Sequence, residues 1–343
     1  MKNLERLVVH VEEAIRLGTS ENEPELRLGL LLVDSAAELM LYRETDYLLA
    51  WGDQYQQWLD RAEQAAAHGY ARDQDYIDEL RGKVFSKTQR NKIEHDFDAK
   101  CALLVKQDIL QPAQARVLKK LHEYRNETYH RGELRPATLA STNRIYIYLV
   151  CQMMIAMPVH SMSFSGQVAP AVLNKYLKPG ENGFGVGVDL QARIGQALIA
   201  TTSISNTAEL GQELSEHVNY RLDEIEAAGE ECVSFFNSMN DRGWTFVAIL
   251  GMLQAPEPGD PFDHLRRTPD DYRNKWARPV NKAKFRTWRK AAAELANETD
   301  DLAAFAAFAD LEDAFEPIEK QVMRLALDVD REIQIQVDQA LGK

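Results

Sequence analysis

The 343-residue sequence has few cysteines, and they are poorly placed for cross-linking or for binding a metal. Cys101, Cys151 and Cys232 lie far apart, their number is odd, and none belongs to a C-x-x-C pair. Neither a disulfide framework nor a cysteine-based zinc site is therefore indicated. We expect all three thiols to be buried.

Long apolar runs are also missing. No stretch approaches the roughly 20 apolar residues that a membrane-spanning helix needs. The first 18 residues, MKNLERLVVHVEEAIRLG, show the charged, amphipathic pattern of a helix and not the apolar core of a signal peptide. We therefore expect a cytoplasmic protein that does not associate with membranes.

The sequence lacks a net positive charge and any motif that binds a metal. Its net charge of -13 argues against bulk electrostatic binding to nucleic acid. No H-E-x-x-H motif or run of clustered carboxylates indicates a metal site, so we expect neither a metal nor a cofactor.

One basic segment departs from this acidic average. Residues 264–290 contain ten Lys or Arg against two Asp, and these cations are interleaved with Tyr272, Trp276, Phe285 and Trp288. Such a mixture can neutralise an RNA backbone and stack on its bases. It also fits a solvated pair of helices whose tryptophans face the core. The candidate RNA-binding residues here are Arg273, Lys275, Lys284, Arg286 and Arg289.

Helical periodicity dominates the pattern of apolar residues and predicts an all-α protein. One apolar stripe runs through the first helix, from Leu4 to Ile15. A second, longer helix over 24–51 has a stripe at helical spacing. The polar segment 52–82 predicts helix of low burial. Three more helices are expected, over 86–107, 112–130 and 138–157, with Ser86 as N-cap and Pro112 at a first helical position.

Two domains are expected, because single cores rarely grow beyond about 250 to 300 residues. Residues 1–160 form a helical bundle, 161–189 a Gly-, Pro- and Ser-rich connection, and 190–343 a second, mainly helical domain. Breaks in the second domain are predicted at 255–261, Pro279 and Pro317. The strict alternation in EIQIQV, residues 332–337, is also compatible with a short strand, although the surrounding sequence favours a helix.

The end of the predicted 112–130 helix collects polar groups in the sequence LHEYRNETYH, residues 121–130. These groups could simply complement the negative end of the helix dipole, or they could form a site. Residues five apart on a helix are separated by about 140° around its axis, so Arg125 and His130 do not share a face. Two copies of the helix facing each other across a two-fold axis would unite them, which predicts a homodimer.

The order of these helices, together with Arg125, Asn126 and His130, resembles the HEPN superfamily of helical bundles and its R-x(4 to 6)-H motif. The resemblance covers residues 1–160. It implies a metal-independent endoribonuclease with its active site at a dimer interface, of the kind used in toxin or anti-phage defence, with a possible antitoxin or regulatory partner. A tyrosine found two residues after the histidine in one regulated subclass is replaced here by Gly132.

The residue types suit this chemistry. An imidazole can take a proton from a ribose 2′-hydroxyl or give one to the leaving oxygen, and arginine matches a phosphate that gains charge. Arg90, Asn91 and His95 repeat the spacing, and we expect a solvated first turn or an added RNA contact there; Arg131 is a further candidate RNA contact. The alternatives are a HEPN-like module that binds RNA, nucleotide or protein without cutting, and a helical interaction protein in which the motif is coincidental.

Overall fold

The computed structural model describes residues 2–68, 74–128, 136–159, 170–179, 181, 189–240, 242–256, 267–276 and 278–341. Every regular element in these ranges is a helix, which confirms the predicted all-α class. None of the described helices combines the length and the apolar character that crossing a bilayer requires. The chain forms two compact units, Met1–Ser205 and Asn206–Lys343.

The first unit contains eight described α-helices and a short 3-10 helix at Ala171–Tyr176. The α-helices are α1 (Lys2–Gly18), α2 (Glu23–Ala67), α3 (Gln74–Lys83), α4 (Lys87–His95), α5 (Phe97–Lys106), α6 (Pro112–Asn126), α7 (Pro136–Ala156) and α8 (Leu190–Ile199).

The core of the first unit lies between α1, α2 and α7. The predicted α1 stripe is buried from Leu4 to Ala14, as its spacing indicated. Helix α7 is buried around most of its surface between residues 138 and 154, which explains its nearly continuous apolar sequence. The α6 helix packs against α2, α5 and α7, and its polar C-terminal turn therefore lies close to this core.

The buried face of α2 differs from the predicted one. We expected its stripe to include Leu28, Leu31, Ser35 and Tyr42, but the residues that α2 buries are Leu26, Gly29, Leu30, Val33, Asp34, Ala36, Ala37, Met40 and Leu41. Leu28 and Tyr42 are instead 48% and 55% exposed. Small residues allow α1 and α7 to approach the buried face, and this close approach decides the orientation. The apolar stripe that the sequence shows most clearly therefore faces outward.

Helix α2 continues without a break to Ala67, well past the predicted end at 51. Its last turns pack against α3 through a small cluster of Leu59, Ala62, Ile77 and Leu80. The polar segment 52–82 is thus helical as predicted up to Ala67 and again from Gln74, and this cluster is buried between two helix segments that are largely exposed.

The predicted single helix over 86–107 is two helices, which is a correction. Asp96 ends α4 and starts α5, and its carboxylate accepts a hydrogen bond from the Ala99 N–H at 2.8 Å. A residue that caps a new helix in this way holds its own backbone in an extended conformation. The predicted starts are confirmed: Ser86 forms a capping box with Gln89, and Pro112 is the first residue of α6.

Helix α8 belongs to the first unit, whereas the sequence placed residues 190–205 in the second domain. The Gln191 amide donates to the carbonyl of Met154 at 3.1 Å and accepts from Arg43 at 2.6 Å. A side chain at Gly195 would meet the carbonyl of Cys151, so α8 and α7 are in close contact. The division between the units therefore falls after Ser205, later than the predicted connection at 161–189.

The second unit contains five described helices, and its two longest pack against each other. They are α9 (Thr207–Asn240), α10 (Phe246–Gln254), α11 (Pro269–Asn274), α12 (Lys282–Leu295) and α13 (Asp301–Ala340). Two glycines mark close helix contacts, since a Cβ at Gly211 would strike the carbonyl of Leu295 and one at Gly251 that of Tyr272.

Two predictions for the second unit are settled by α13. The helix runs through Pro317, where we predicted a break, so that prediction was wrong. Phe315 and Ile318 on either side of the proline are buried, and their packing compensates for the hydrogen bond that proline cannot make. Residues 332–337 are helical, which excludes the strand that their alternation left open.

A buried ionic group links α9 to α13. Arg221 hydrogen-bonds to Glu312 and Glu319, with 2.9 Å between Arg221 Nε and Glu319 Oε1, and its guanidinium lies over the ring of Phe315. Burial alone would lower the pKa of Arg221, but the carboxylates of Glu312 and Glu319 raise it above its ordinary value. The arginine therefore stays charged inside the unit.

Candidate functional site

The predicted motif lies where α6 ends. Arg125 and Asn126 are the last two residues of the helix and are both partly exposed. The Arg125 Nη1 donates to the Asn126 side-chain oxygen at 2.8 Å, so the two side chains form one polar unit. His130 and Arg131 lie outside the residues that the structure describes.

A buried carboxylate forms an ion pair with the polar end of α6. Asp34, on the buried face of α2, has no exposed surface, and its Oδ2 lies 3.1 Å from the Arg125 Nε. The Arg125 side chain as a whole remains 23% exposed despite this ion pair. An arginine fixed by a buried acid keeps one orientation, which suits the recognition of a phosphate by a rigid fork.

His122 shares the same carboxylate. Its Nδ1 lies 2.8 Å from Asp34 Oδ1, and the Tyr146 hydroxyl donates to that oxygen at 2.7 Å. Because an ionised carboxylate can only accept, the hydrogen bond places a proton on Nδ1. The imidazole is stacked on Phe97, with 3.9 Å between ring centroids and 4° between ring planes. Orientation and tautomer of His122 are therefore both fixed.

Tyr146 is a permanent donor in this group. Burial raises the pKa of its hydroxyl well above the ordinary value, and the charge of Asp34 and the hydrogen bond to it raise that pKa further. The hydroxyl therefore keeps its proton over the whole physiological range. It donates a hydrogen bond to Asp34 throughout that range.

Local helix geometry brings these groups together. His122, Arg125 and Asn126 are spaced i, i+3 and i+4, which puts them on one face of α6. After Asn126 the chain widens into a π-type turn at 127–128, and Arg27 of α2 donates to the Thr128 carbonyl at 2.9 Å. Such turns occur frequently at functional sites.

The spacing of three side chains would suit a cation. Asp34, Glu38 and His122 each offer a ligand atom, and these atoms lie within 4.8 Å of one another. The Arg125 guanidinium already neutralises Asp34, however, so a bound cation would stand beside a fixed positive charge. We therefore interpret the group as a hydrogen-bonded ionic network and assign it no metal.

The second copy of the spacing, at 90–95, has different surroundings. Arg90 pairs with Asp53 of α2 and donates to the Leu49 carbonyl at 3.1 Å. The copy spans most of α4, with His95 as the last helical residue, so it is not the first turn that we predicted. His95 and Asn91 are both exposed. Arg90 thus connects α4 to α2, and His95 stands apart from it.

The basic segment forms parts of α11 and α12, where its large aromatics lie mainly in the core. Phe285 and Trp288 are 2% exposed, and Tyr272 is also buried, which leaves no stacking surface on these three rings. Arg273 pairs with Asp270, and Arg289 with Asp223 and Glu226. Lys275 and Lys284 lie over Trp276 and Trp288, and Arg286 is exposed.

Asp34, His122 and Tyr146 are not among the site residues that the sequence predicts. Nothing in the sequence pattern links His122 to an aspartate 88 residues earlier. An acidic residue inside an apolar helix was the one available indication, since a buried charge needs a partner. Comparisons of the chain with models of known families, with curated proteins and with solved structures found no match.

Proposed function

We propose that the protein is a metal-independent endoribonuclease of the HEPN type, acting in toxin or anti-phage defence. The observation that carries the proposal is the anchored pair at the end of α6: Arg125 and Asn126, joined to each other and fixed by Asp34, yet still partly exposed. A phosphate needs a rigid, accessible cation of this kind, and His130 follows within five residues.

The proposed roles follow the chemistry of each group. His130 takes the proton of the ribose 2′-hydroxyl, which attacks the adjacent phosphorus and leaves a 2′,3′-cyclic phosphate. Arg125 binds the phosphate oxygens as their charge grows in the transition state. Asn126 orients the phosphate or the histidine. Arg90, Arg131, His95 and the basic residues of α11 and α12 are additional candidate contacts to RNA.

A dimer would complete the site, and α2 offers a surface for it. This stripe of α2, which is half-buried to exposed, consists of Leu28, Leu31, Leu32, Ser35, Leu39 and Tyr42. Residues on a helix advance by about 100° each, so the middle of the stripe lies roughly 70° around α2 from Glu38 and roughly 110° from the buried Asp34. A second copy seated on this stripe is the arrangement that we propose for uniting Arg125 with His130, which their offset on one helix separates.

A second candidate function is a HEPN-like module that binds RNA or nucleotide without cutting it. The ion pair between Arg125 and Asp34 favours it, because a neutralised arginine gives less stabilisation to a transition state. Binding and cleavage therefore have to be measured on the same samples.

The test is to incubate the purified protein with single-stranded RNA, with the same RNA carrying a 2′-deoxy substitution at the cleaved position, and with single-stranded DNA, each with and without excess chelator. We expect cleavage of RNA alone, unaffected by chelator, with a 2′,3′-cyclic phosphate on the upstream fragment. Binding of RNA without any product would favour the non-catalytic module. Cleavage of the deoxy substrate, or cleavage that disappears with chelator, would contradict the proposal.

A further inference from the structure

We propose that His122 is the general acid of this site and protonates the 5′-oxygen that leaves when the RNA chain is cut. The inference rests on the endoribonuclease function proposed above, and it adds a group that lies outside the R-x4-H motif. In the composite site, the acid and the base would then be different histidines, His122 and His130.

The hydrogen bonds of His122 leave one ring nitrogen for chemistry. Nδ1 donates to Asp34, and Nε2 has no hydrogen-bond partner among the described residues. The His122 side chain is 18% exposed and is therefore partly buried. An imidazole that is held by a carboxylate at one nitrogen and free at the other can exchange a proton with a bound substrate.

His122 also lies next to the proposed phosphate ligand. It precedes Arg125 by three residues on the same helix face, and residues so spaced have Cβ atoms about 5 to 6 Å apart. Both side chains end at the two oxygens of one carboxylate, Asp34. A phosphate bound by Arg125 therefore has His122 within reach of one of its ester oxygens.

Four charged or titratable groups surround the ring. Asp34 and Glu38 approach from α2, the latter at 3.9 Å, Tyr146 from α7, and Arg125 from the same helix. Helix α5 contributes the apolar face of Phe97. The two carboxylates supply the counter-charge that a doubly protonated ring needs, and the stacked face prevents the ring from turning.

The proposed step conserves atoms and charge. The 2′-oxygen forms a bond to phosphorus while the bond from phosphorus to the 5′-oxygen breaks. His130 gains the proton of the 2′-hydroxyl, and the leaving 5′-oxygen takes the proton from His122 Nε2. Both histidines return to their starting states by exchanging one proton each with water. Asp34 is a positioning residue in this scheme, because it acts on the substrate only through His122 and Arg125.

The experiment compares two substrates with different needs for an acid. A dinucleoside phosphate such as UpA has a poor leaving group, whereas uridine 3′-(4-nitrophenyl phosphate) releases a stable phenolate without protonation. The variant is His122→Asn, whose amide can keep the hydrogen bond to Asp34 but carries no transferable proton. The matched control is His68→Asn, which changes an exposed histidine at the C-terminal end of α2 that has no role in the proposed site. Circular dichroism shows whether each variant is still folded. If His122→Asn loses helical signal, His122→Gln is used in its place.

We expect His122→Asn to lower cleavage of UpA by about 100-fold or more, the usual contribution of a general acid, and to leave the nitrophenyl substrate nearly unaffected. His130→Ala should lose activity on both substrates, and His68→Asn on neither. Equal losses of His122→Asn on both substrates, or no loss on either, would overturn the assignment while the nuclease function stands. A wild-type protein that cleaves neither substrate would overturn the function and the assignment together.

Discussion

The Nε of Arg125 and the Oδ2 of Asp34 form an ion pair of 3.1 Å between the exposed end of α6 and the buried face of α2. The same carboxylate accepts hydrogen bonds from His122 and Tyr146. One buried acid therefore fixes three side chains that come from two helices. As a result, both Asp34 and its partner Arg125 influence the stability of the first unit as well as the geometry of the site.

Replacing Asp34 should therefore cost stability. In Asp34→Ala the partners lose their shared acceptor, and we expect a loss of about 3 to 5 kcal/mol in the free energy of unfolding, as for other broken buried pairs. Glu38→Gln, one helical turn away and largely exposed, should change it by less than about 0.5 kcal/mol. Urea denaturation, monitored by hydrogen exchange in α2 and α6, measures the free energy of unfolding of both variants. Equal effects of the two variants would show that Asp34 is not the anchor.

The competing copies of the motif should differ in activity. Arg125→Ala and His130→Ala should abolish RNA cleavage, a loss of about 100-fold or more for each group. The helical circular dichroism should persist in both variants, although Arg125→Ala also leaves the buried Asp34 without its cation and should lower the free energy of unfolding. His95→Ala should change the rate only slightly. Loss of cleavage in His95→Ala with activity retained in His130→Ala would place the site at residues 90–95.

The outward face of α2 should mediate dimer formation. Leu28→Glu puts a charge into the apolar stripe, so we expect light scattering to show monomers at micromolar concentration and cleavage to fall with dissociation. Val9→Glu is the matched control, because Val9 is an exposed apolar residue of α1 at 40% exposure. A wild-type protein that is monomeric at these concentrations and fully active would contradict the composite site.

In the second unit, Arg221 should matter more than other paired arginines. Arg221→Met leaves Glu312 and Glu319 buried without their cation, with an expected loss of about 3 to 5 kcal/mol in unfolding free energy. Arg289→Met removes a partly exposed arginine whose partners are also exposed, so its loss should stay below about 1 kcal/mol. Thermal unfolding, together with hydrogen exchange in α9 and α13, measures the loss of stability in Arg221→Met and in Arg289→Met. Adding Glu312→Gln and Glu319→Gln to Arg221→Met should recover much of the stability.

Alkaline pH should destabilise the first unit through its thiols. Burial raises the pKa of Cys101 and of Cys151 from 9.0 to about 12. Above about pH 9 the unfolded chain loses these protons while the folded chain keeps them, so the free energy of unfolding falls as pH rises. The Cys101→Ala and Cys151→Ala double variant should show a shallower decline of Tm between pH 8 and pH 10.5. Parallel declines would mean that other groups are responsible.

Local patterns in the sequence predicted the helices well, because each depends on residues that are close in the chain. The α1 stripe, the capping box at Ser86 and the start of α6 at Pro112 are of this kind. The predictions at Asp96 and Pro317 were wrong because they, too, used only residues that are close in the chain. A capping residue was hidden inside a helical pattern, and a helix breaker was overruled by packing of Phe315 and Ile318 that no local pattern contains.

The site could be predicted only in part. Arg125 and Asn126 were found because they are adjacent at a helix end, and His130 was included through its spacing. Asp34, His122 and Tyr146 meet only after α2, α6 and α7 have packed. That packing buries the face of α2 that contains Gly29 and Ala36, and leaves Leu28 and Tyr42 of the predicted stripe exposed. The face of α2 that carries Asp34 was consequently missed, and the network with it.

The close contacts at Gly211 and Gly251 set a limit on how the function of this protein can be mapped by random mutagenesis. Any side chain at these positions strikes a backbone carbonyl, so every substitution will lower the amount of folded protein. In a selection for activity, both glycines will be depleted as strongly as Arg125, although neither contributes a functional group. Only a parallel measurement of protein abundance in the cell separates positions that the fold requires from those that the chemistry requires.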